Sequence, residues 1–191
     1  MTNAVLIAVI VVLSLVVVLN FALTLAMVRR MGARPNNVAE PLKKGIRAPD
    51  FKAHTLSGSE VSGTDFVGRR TLFLFAKPGC QPCIDAIPTW EQLIKHAPAA
   101  HSEVVVVMDG VREDVESMLE EHPLSGLVLL APSGTNSMFL DWNIFATPTF
   151  VQIEGEVVKS SGVVMPTSGA WQDVVRWFDS DRDTAPSLAR A

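Results

Sequence analysis

Hydrophobic and polar positions divide the chain into an apolar N-terminal stretch and a longer segment of mixed pattern. Residues 4–28 contain no ionisable side chain, and only Ser14, Asn20 and Thr24 interrupt the apolar run. As a helix this stretch would be about 37 Å long, more than the ~30 Å hydrocarbon core of a bilayer. A buried core helix of this length would have a polar face, and a cleaved signal peptide would need a positive flank, which residues 1–3 lack. The pattern predicts an uncleaved transmembrane helix.

Strand-like and helix-like patterns alternate along the rest of the chain. The β-α-β rhythm at its start favours parallel strands, whereas Glu154 and Gly155 join the last two strands in the manner of a hairpin. The predicted order is strand 71–76, helix 80–95, strand 103–108, helix 112–121, strand 126–130, short helix 136–142, strands 149–153 and 157–160, and helix 168–178.

These elements predict an α/β fold with a central mixed sheet flanked by helices and an antiparallel hairpin at one edge. Residues 51–67 add a small N-terminal β-hairpin. Residues 29–45 contain Pro35 and Pro41 without apolar periodicity, which predicts a linker. The domain then covers 46–179, and the polar segment 180–191 is expected to form a flexible tail.

Composition narrows the possible functions. The globular part is long enough to bury a core without metal or disulfide staples, and two cysteines in 191 residues exclude a disulfide scaffold. The net charge of -4 and the absence of a basic run interleaved with aromatics after residue 50 argue against nucleic-acid binding.

The chemistry of the chain is concentrated in the sequence Cys80-Gln81-Pro82-Cys83. It lies where an apolar strand ends and a helix begins, so the first sulfur is placed over a helix N-terminus, which favours its thiolate. The second sulfur is one helical turn further on and can attack a mixed disulfide formed by the first. Pro82 fits the first turn of a helix, where its missing N–H costs little. The motif predicts thiol-disulfide exchange with Cys80 and Cys83 as catalytic residues.

A zinc half-site is the alternative for a single C-x-x-C motif. Zinc would require a second ligand pair, and the only histidines at a suitable spacing, His96 and His101, flank Ala97-Pro98 in an expected loop at a helix end. We expect no metal and no other cofactor.

Three spaced motifs carry a family resemblance over about residues 45–180. They are Ala48-Pro49-Asp50-Phe51, then Phe75-Ala76 followed by the Cys80–Cys83 motif and Pro88, then Ile144 followed by Thr147-Pro148-Thr149-Phe150 and Gly155. As a set they resemble the membrane-tethered thioredoxin-like reductases of the TlpA/ResA kind, and are similar to the methylamine-utilisation accessory proteins of the MauD kind.

The resemblance implies a thioredoxin fold in which Cys80 attacks, Cys83 resolves, and a cis Thr147–Pro148 peptide faces the dithiol. It also implies supporting roles for Gln81 and Pro82. The chain departs from the family pattern: Gly79 replaces a common Trp, Ala86 replaces a common Glu, and Leu74 stands where thioredoxin has a buried Asp. Lys77 could stabilise the Cys80 thiolate by its charge, or it could be a solvated surface lysine.

Two other functions compete with a reductase. A peroxiredoxin-like peroxidase of the AhpC/TSA type shares the Ala48–Phe51 motif, but it needs a Thr three residues before its reactive Cys, where this chain has Lys77. A non-catalytic thioredoxin-like scaffold for maturation of other proteins would be expected to have lost the Cys pair, which is intact.

The location of the domain receives conflicting signals. Six basic residues follow the apolar stretch and none precedes it, so the positive-inside rule favours the cytoplasm. The resemblance implies a single-pass protein of a bacterial cell membrane with its domain on the outer face, and we favour that side. The expected partners are a protein disulfide substrate and an upstream electron donor, neither of which the sequence identifies.

Overall fold

The structure is a computed structural model that describes residues 2–32, 42–98, 101–165 and 168–184. It divides the chain into two compact units, Met1–Val38 and Ala39–Ala191.

The first unit contains one long helix, α1 (Thr2–Gly32). Within it, Val5–Leu25 is long and apolar enough to cross a membrane, and its residues are exposed. The helix extends past both ends of the predicted 4–28 segment. Residues 29–32, which the sequence analysis assigned to the linker, are helical in the structure.

The second unit contains seven strands, four α-helices and one 3-10 turn in its described residues. Elements fall where the sequence pattern predicts them, and ends differ by a few residues. They are β1 (Lys52–Thr55), β2 (Glu60–Ser62), the 3-10 turn Gly63–Phe66, β3 (Arg70–Ala76), α2 (Gln81–His96), β4 (Ser102–Met108), α3 (Arg112–Glu121), β5 (Leu127–Leu130), α4 (Met138–Asp141), β6 (Thr149–Glu154), β7 (Val157–Val163) and α5 (Gly169–Thr184).

The strands form one mixed sheet in the order β2-β1-β5-β4-β3-β6-β7. Strands β3, β4 and β5 are parallel, and β6 and β7 form an antiparallel hairpin beside β3. The predicted mixed sheet with a hairpin at one edge is confirmed. Because β3 and β4 occupy the middle of the sheet, the loops after them are supported on both sides.

Alternating side chains of β3 supply two separate hydrophobic cores. Leu72 and Leu74 face the side covered by α2, α3 and α5, where Trp90 is fully buried. Phe73 and Phe75 face the other side, where Phe73 packs edge-on against Trp142. Phe75 packs edge-on against Phe139 and at a tilt against Trp142. Burial on both faces explains why the β3 sequence is a continuous apolar run rather than an alternating one.

Ordered elements and contacts extend beyond both ends of the predicted 46–179 domain. Leu42 was assigned to the linker, but it is 3% exposed, and its carbonyl accepts a 2.6 Å hydrogen bond from the Ser161 hydroxyl. Gly45 also belongs to the fold, since its N–H donates to the Val158 carbonyl at 2.8 Å. At the other end α5 continues to Thr184, five residues into the predicted tail. Residues 33–41 and 185–191 of the predicted linker and tail lie outside the described residues.

Candidate active site

The C-x-x-C motif forms the first turn of α2, directly after the central strand β3. Gly79 has a φ of +72°, a conformation that is strained for any residue with a Cβ, and it reverses the chain just before Cys80. Cys80 is the N-cap of α2, and its carbonyl accepts hydrogen bonds from the N–H groups of Cys83 at 2.9 Å and Ile84 at 3.1 Å. Glycine therefore suits this position, whereas the Trp that is common there in the family would be strained in the same backbone conformation.

The two sulfurs are joined in a disulfide with a Cα–Cα distance of 5.3 Å. Their surroundings differ: Cys83 is fully buried in the core beneath α2, whereas Cys80 is half-buried at the helix start. Cys80 is therefore the more accessible of the two residues. Pro82 lies in the first helical turn, as its position in the sequence predicted.

The loop before β6 lies against Cys80. The Thr147–Pro148 peptide bond is cis, as the resemblance implied. The Thr147 hydroxyl donates a 3.5 Å hydrogen bond to the Cys80 sulfur, and the Thr147 carbonyl oxygen lies 3.7 Å from the same sulfur. Two polar groups of one residue therefore contact the accessible sulfur.

Two of the proposed supporting side chains have contacts away from the sulfurs. The Gln81 amide donates to Asp85 at 2.9 Å along the exposed face of α2. Lys77 is 60% exposed and forms an ion pair with Asp109, with 3.7 Å between Nζ and Oδ2. The Lys77 side chain is thus largely exposed, and its described charge partner is Asp109. Its backbone does contact the motif, because the Lys77 carbonyl accepts the Cys80 N–H at 3.2 Å.

Asp109 was missed by the sequence analysis. It follows β4 immediately, and its carboxylate accepts the Ser133 N–H at 2.7 Å besides pairing with Lys77. The available signal was an Asp-Gly pair at the carboxyl end of a buried parallel strand, the edge where sites of open α/β sheets form.

Among the described residues, the two carboxyl groups with clearly shifted pKa values lie away from the sulfurs. Hydrogen bonds from the backbone N–H and hydroxyl of Ser125 lower the pKa of Glu91, and Lys159 lowers that of Glu154. In the described part of the chain, no three His, Cys, Asp or Glu side chains are grouped to hold a metal ion.

A buried thiol paired with an accessible one at a helix start can exchange two electrons with another disulfide. Fold and site together define a thioredoxin-like protein with a C-x-x-C disulfide. The chain belongs to the AhpC/TSA family, whose sequence model matches residues 45–174.

Curated relatives are similar over part of the chain. The thioredoxin-like protein YneN of Bacillus subtilis is 29% identical over 111 residues, which are 56% of this chain and 64% of YneN. The methylamine utilization protein MauD of Methylophilus methylotrophus is 30% identical over 84 residues, 43% of this chain and 38% of MauD. The chain therefore spans less than two thirds of the length of either relative.

Solved structures support the thioredoxin-like fold. A structure described as the thiol:disulfide interchange protein DsbE of Chlorobium tepidum superposes with a TM-score of 0.63 at 23% identity, covering 73% of this chain and 98% of that one. The thioredoxin domain of a thiol-disulfide oxidoreductase of Bacteroides vulgatus gives a TM-score of 0.62 at 19% identity, covering 72% and 98%.

Proposed function

We propose that this protein is a membrane-anchored thiol-disulfide oxidoreductase that reduces disulfides in partner proteins through Cys80 and Cys83. The observation that carries the proposal is the asymmetry of the pair: Cys80 is half-buried at the N-cap of α2 and Cys83 is fully buried. Such a pair lets one sulfur meet the substrate while the other is reserved for the second step.

The reaction has two exchange steps. The Cys80 thiolate attacks one sulfur of the substrate disulfide, a Cys80–substrate bond forms, and the other substrate sulfur leaves as a thiolate. The Cys83 thiolate then attacks the Cys80 sulfur, which forms the Cys80–Cys83 disulfide and releases the second substrate thiol. Two electrons pass to the substrate, and an upstream dithiol donor returns two electrons to the pair. The roles of Thr147 and the α2 N-terminus are to stabilise the Cys80 thiolate before it attacks and when the upstream donor regenerates it by reducing the disulfide.

The reductive direction follows from the residues between the cysteines. A disulfide becomes strongly oxidising when its reduced form is stabilised, and neither Gln81 nor Pro82 adds a positive charge for that purpose. The dithiol should therefore give up its electrons readily.

Membrane attachment rests on Val5–Leu25, which has the length and composition of a span. We place the domain on the outer face of a bacterial membrane, in agreement with the resemblance and against the charge bias of the flanks. A membrane-impermeant thiol reagent applied to intact cells after mild reduction tests this. Labelling of Cys80 is expected, and labelling only after lysis would place the domain inside.

The exchange chemistry is tested by trapping. A Cys83→Ser variant should hold a disulfide-bonded adduct with a model protein disulfide, because the second step is blocked. A Cys80→Ser variant should form none, since Cys83 is buried. Equal adducts from both variants would refute the assigned roles, and a chain that forms no adduct through either cysteine would not be an oxidoreductase of this kind.

A peroxidase is the second candidate, because the matching family is named for AhpC and TSA proteins. Lys77 occupies the position where that activity calls for Thr, and its side chain contacts Asp109. We therefore expect the reduced chain to consume hydrogen peroxide far more slowly than it reduces a protein disulfide, and the reverse order would favour the peroxidase.

A further inference from the structure

Asp109 links the ends of three neighbouring strands. It follows β4, which lies between β3 and β5 in the sheet. Its N–H donates to the Ala76 carbonyl at the end of β3, at 2.9 Å, and its carboxylate pairs with Lys77 just beyond β3. The same carboxylate accepts the Ser133 N–H from the loop after β5, at 2.7 Å. This carboxylate is only 18% exposed, so both interactions are partly shielded from water.

The next residue, Gly110, lies unusually close to the turn that leads to Cys80. A Cβ built on Gly110 would be 2.7 Å from Cγ and 2.9 Å from Cδ of Pro78, and 3.2 Å from Cγ2 of Val115. The ring of a proline cannot rotate away as a flexible side chain can. Only glycine allows this approach without displacing the Pro78 turn.

We propose that Asp109 and Gly110, here called the brace, are positioning residues that hold the turn 77–79 and thereby set the place of the Cys80 sulfur. The proposal rests on the proposed thiol-disulfide function and deepens it. The brace acts through a short path: it contacts Lys77 and Pro78, and the Lys77 carbonyl in turn receives the Cys80 N–H at 3.2 Å.

The position of the turn matters because the Cys80 sulfur is held by a distance-sensitive contact. The Thr147 hydroxyl reaches it at 3.5 Å, so a shift of several tenths of an ångström weakens that hydrogen bond. The Cys80 thiolate would lose support, the reduced form would become less stable relative to the disulfide, and attack on a substrate would be misaligned. Fold stability alone would not produce this change in redox equilibrium.

The test compares Gly110→Ala with Gly126→Ala in the full chain purified in detergent. Gly126 is a matched control: a Cβ there would be 2.9 Å from Cδ1 of Ile94, near the opposite end of α2 from Cys80. Both variants crowd the α2 side of the sheet, but only one touches the turn. A milder pair of variants is Asp109→Asn and Asp65→Asn. The first removes the charge paired with Lys77. The second is the control, because the Asp65 carboxylate lies away from the site and accepts a backbone N–H with a distance of 2.8 Å.

Three quantities are measured: the equilibrium with reduced and oxidised glutathione, the alkylation rate of reduced Cys80 at pH 7, and the unfolding midpoint. Gly110→Ala should shift the equilibrium toward the disulfide about fivefold, which is about 20 mV, and slow alkylation by a similar factor. Asp109→Asn should shift both about threefold in the same direction. Gly126→Ala and Asp65→Asn should stay within about twofold of the wild type even if they melt earlier.

The brace is refuted if Gly110→Ala and Asp109→Asn leave both redox quantities unchanged, or if the control variants shift them as much. If Gly110→Ala does not fold, the comparison of Asp109→Asn with Asp65→Asn tests the brace by the same criteria. The two proposals can fail separately. A wild type that reduces no protein disulfide would refute the proposed function. The alkylation rates would still test the brace, because alkylation of Cys80 needs no substrate disulfide.

Discussion

Replacing Thr147 by Val removes one hydroxyl and nearly preserves the shape of the side chain. That hydroxyl donates to the Cys80 sulfur at 3.5 Å. A hydrogen bond to a charged acceptor contributes about 1.5–3 kcal/mol, and because this contact is long and half-exposed we expect about 1 kcal/mol. Losing this hydrogen bond destabilises mainly the reduced form, because its thiolate is the stronger acceptor. The thiol-disulfide equilibrium should therefore move toward the disulfide about fivefold, or ~20 mV.

The assay is equilibration of the full chain with glutathione buffers, followed by acid quenching and mass measurement of the reduced fraction. Thr147→Ser is the matched control, because it keeps the hydroxyl and should lie within twofold of the wild type. If Thr147→Val also lies within twofold, the hydroxyl does not support the thiolate. If Thr147→Ser shifts as much as Thr147→Val, the methyl group, through packing, is responsible.

Three further predictions concern accessibility, potential and stability. Iodoacetamide should modify Cys80 and spare the buried Cys83 in the folded, reduced chain; equal labelling of the two in peptide mass spectra would contradict the asymmetry. The midpoint potential should be below about -180 mV and nearer the ~-270 mV of thioredoxin, and a higher value measured against dithiol buffers would make the protein a disulfide donor. Glu91→Gln should cost about 1 kcal/mol at pH 7 by chemical unfolding, because Ser125 lowers the pKa of Glu91. Because the pKa of Glu91 is lower in the folded state, its carboxylate stabilises the fold at pH values above the unfolded pKa of about 4.3. This stabilisation is lost as the pH falls through the folded pKa, so the variant and the wild type should have the same stability in acid. The exposed Glu113→Gln should change stability little, and a pH-independent Glu91 effect would exclude ionisation as its cause.

Local sequence signals predicted the elements well where burial made them strong. The β3 run from Thr71 to Ala76 is buried on both faces, so its pattern is continuous and its limits are sharp. The boundaries failed where the signal was tertiary. Leu42 is an isolated apolar residue between polar and proline neighbours, and only its burial in the same core as Phe73 reveals that it belongs to the fold.

The residues of the candidate site also differ in whether local sequence could identify them. Cys80 and Cys83 were found because spacing and a strand-to-helix setting are local properties. Asp109 was not found, because its two partners, Lys77 and Ser133, lie 32 residues before it and 24 after it and meet it only at the edge of the sheet. A sequence window cannot display a contact between three strand ends unless the strand order is known first.

The central claim is that the Cys80–Cys83 pair transfers electrons to protein disulfides, and a single-turnover reaction tests it most directly. The full chain is reduced, freed of reductant and mixed with an excess of insulin, and free insulin thiols and the redox state of the pair are followed together. The account predicts one insulin disulfide reduced for each Cys80–Cys83 disulfide formed, and none with Cys80→Ser. Insulin that stays oxidised while the pair stays reduced, or reduction by Cys80→Ser at the wild-type rate, would contradict it.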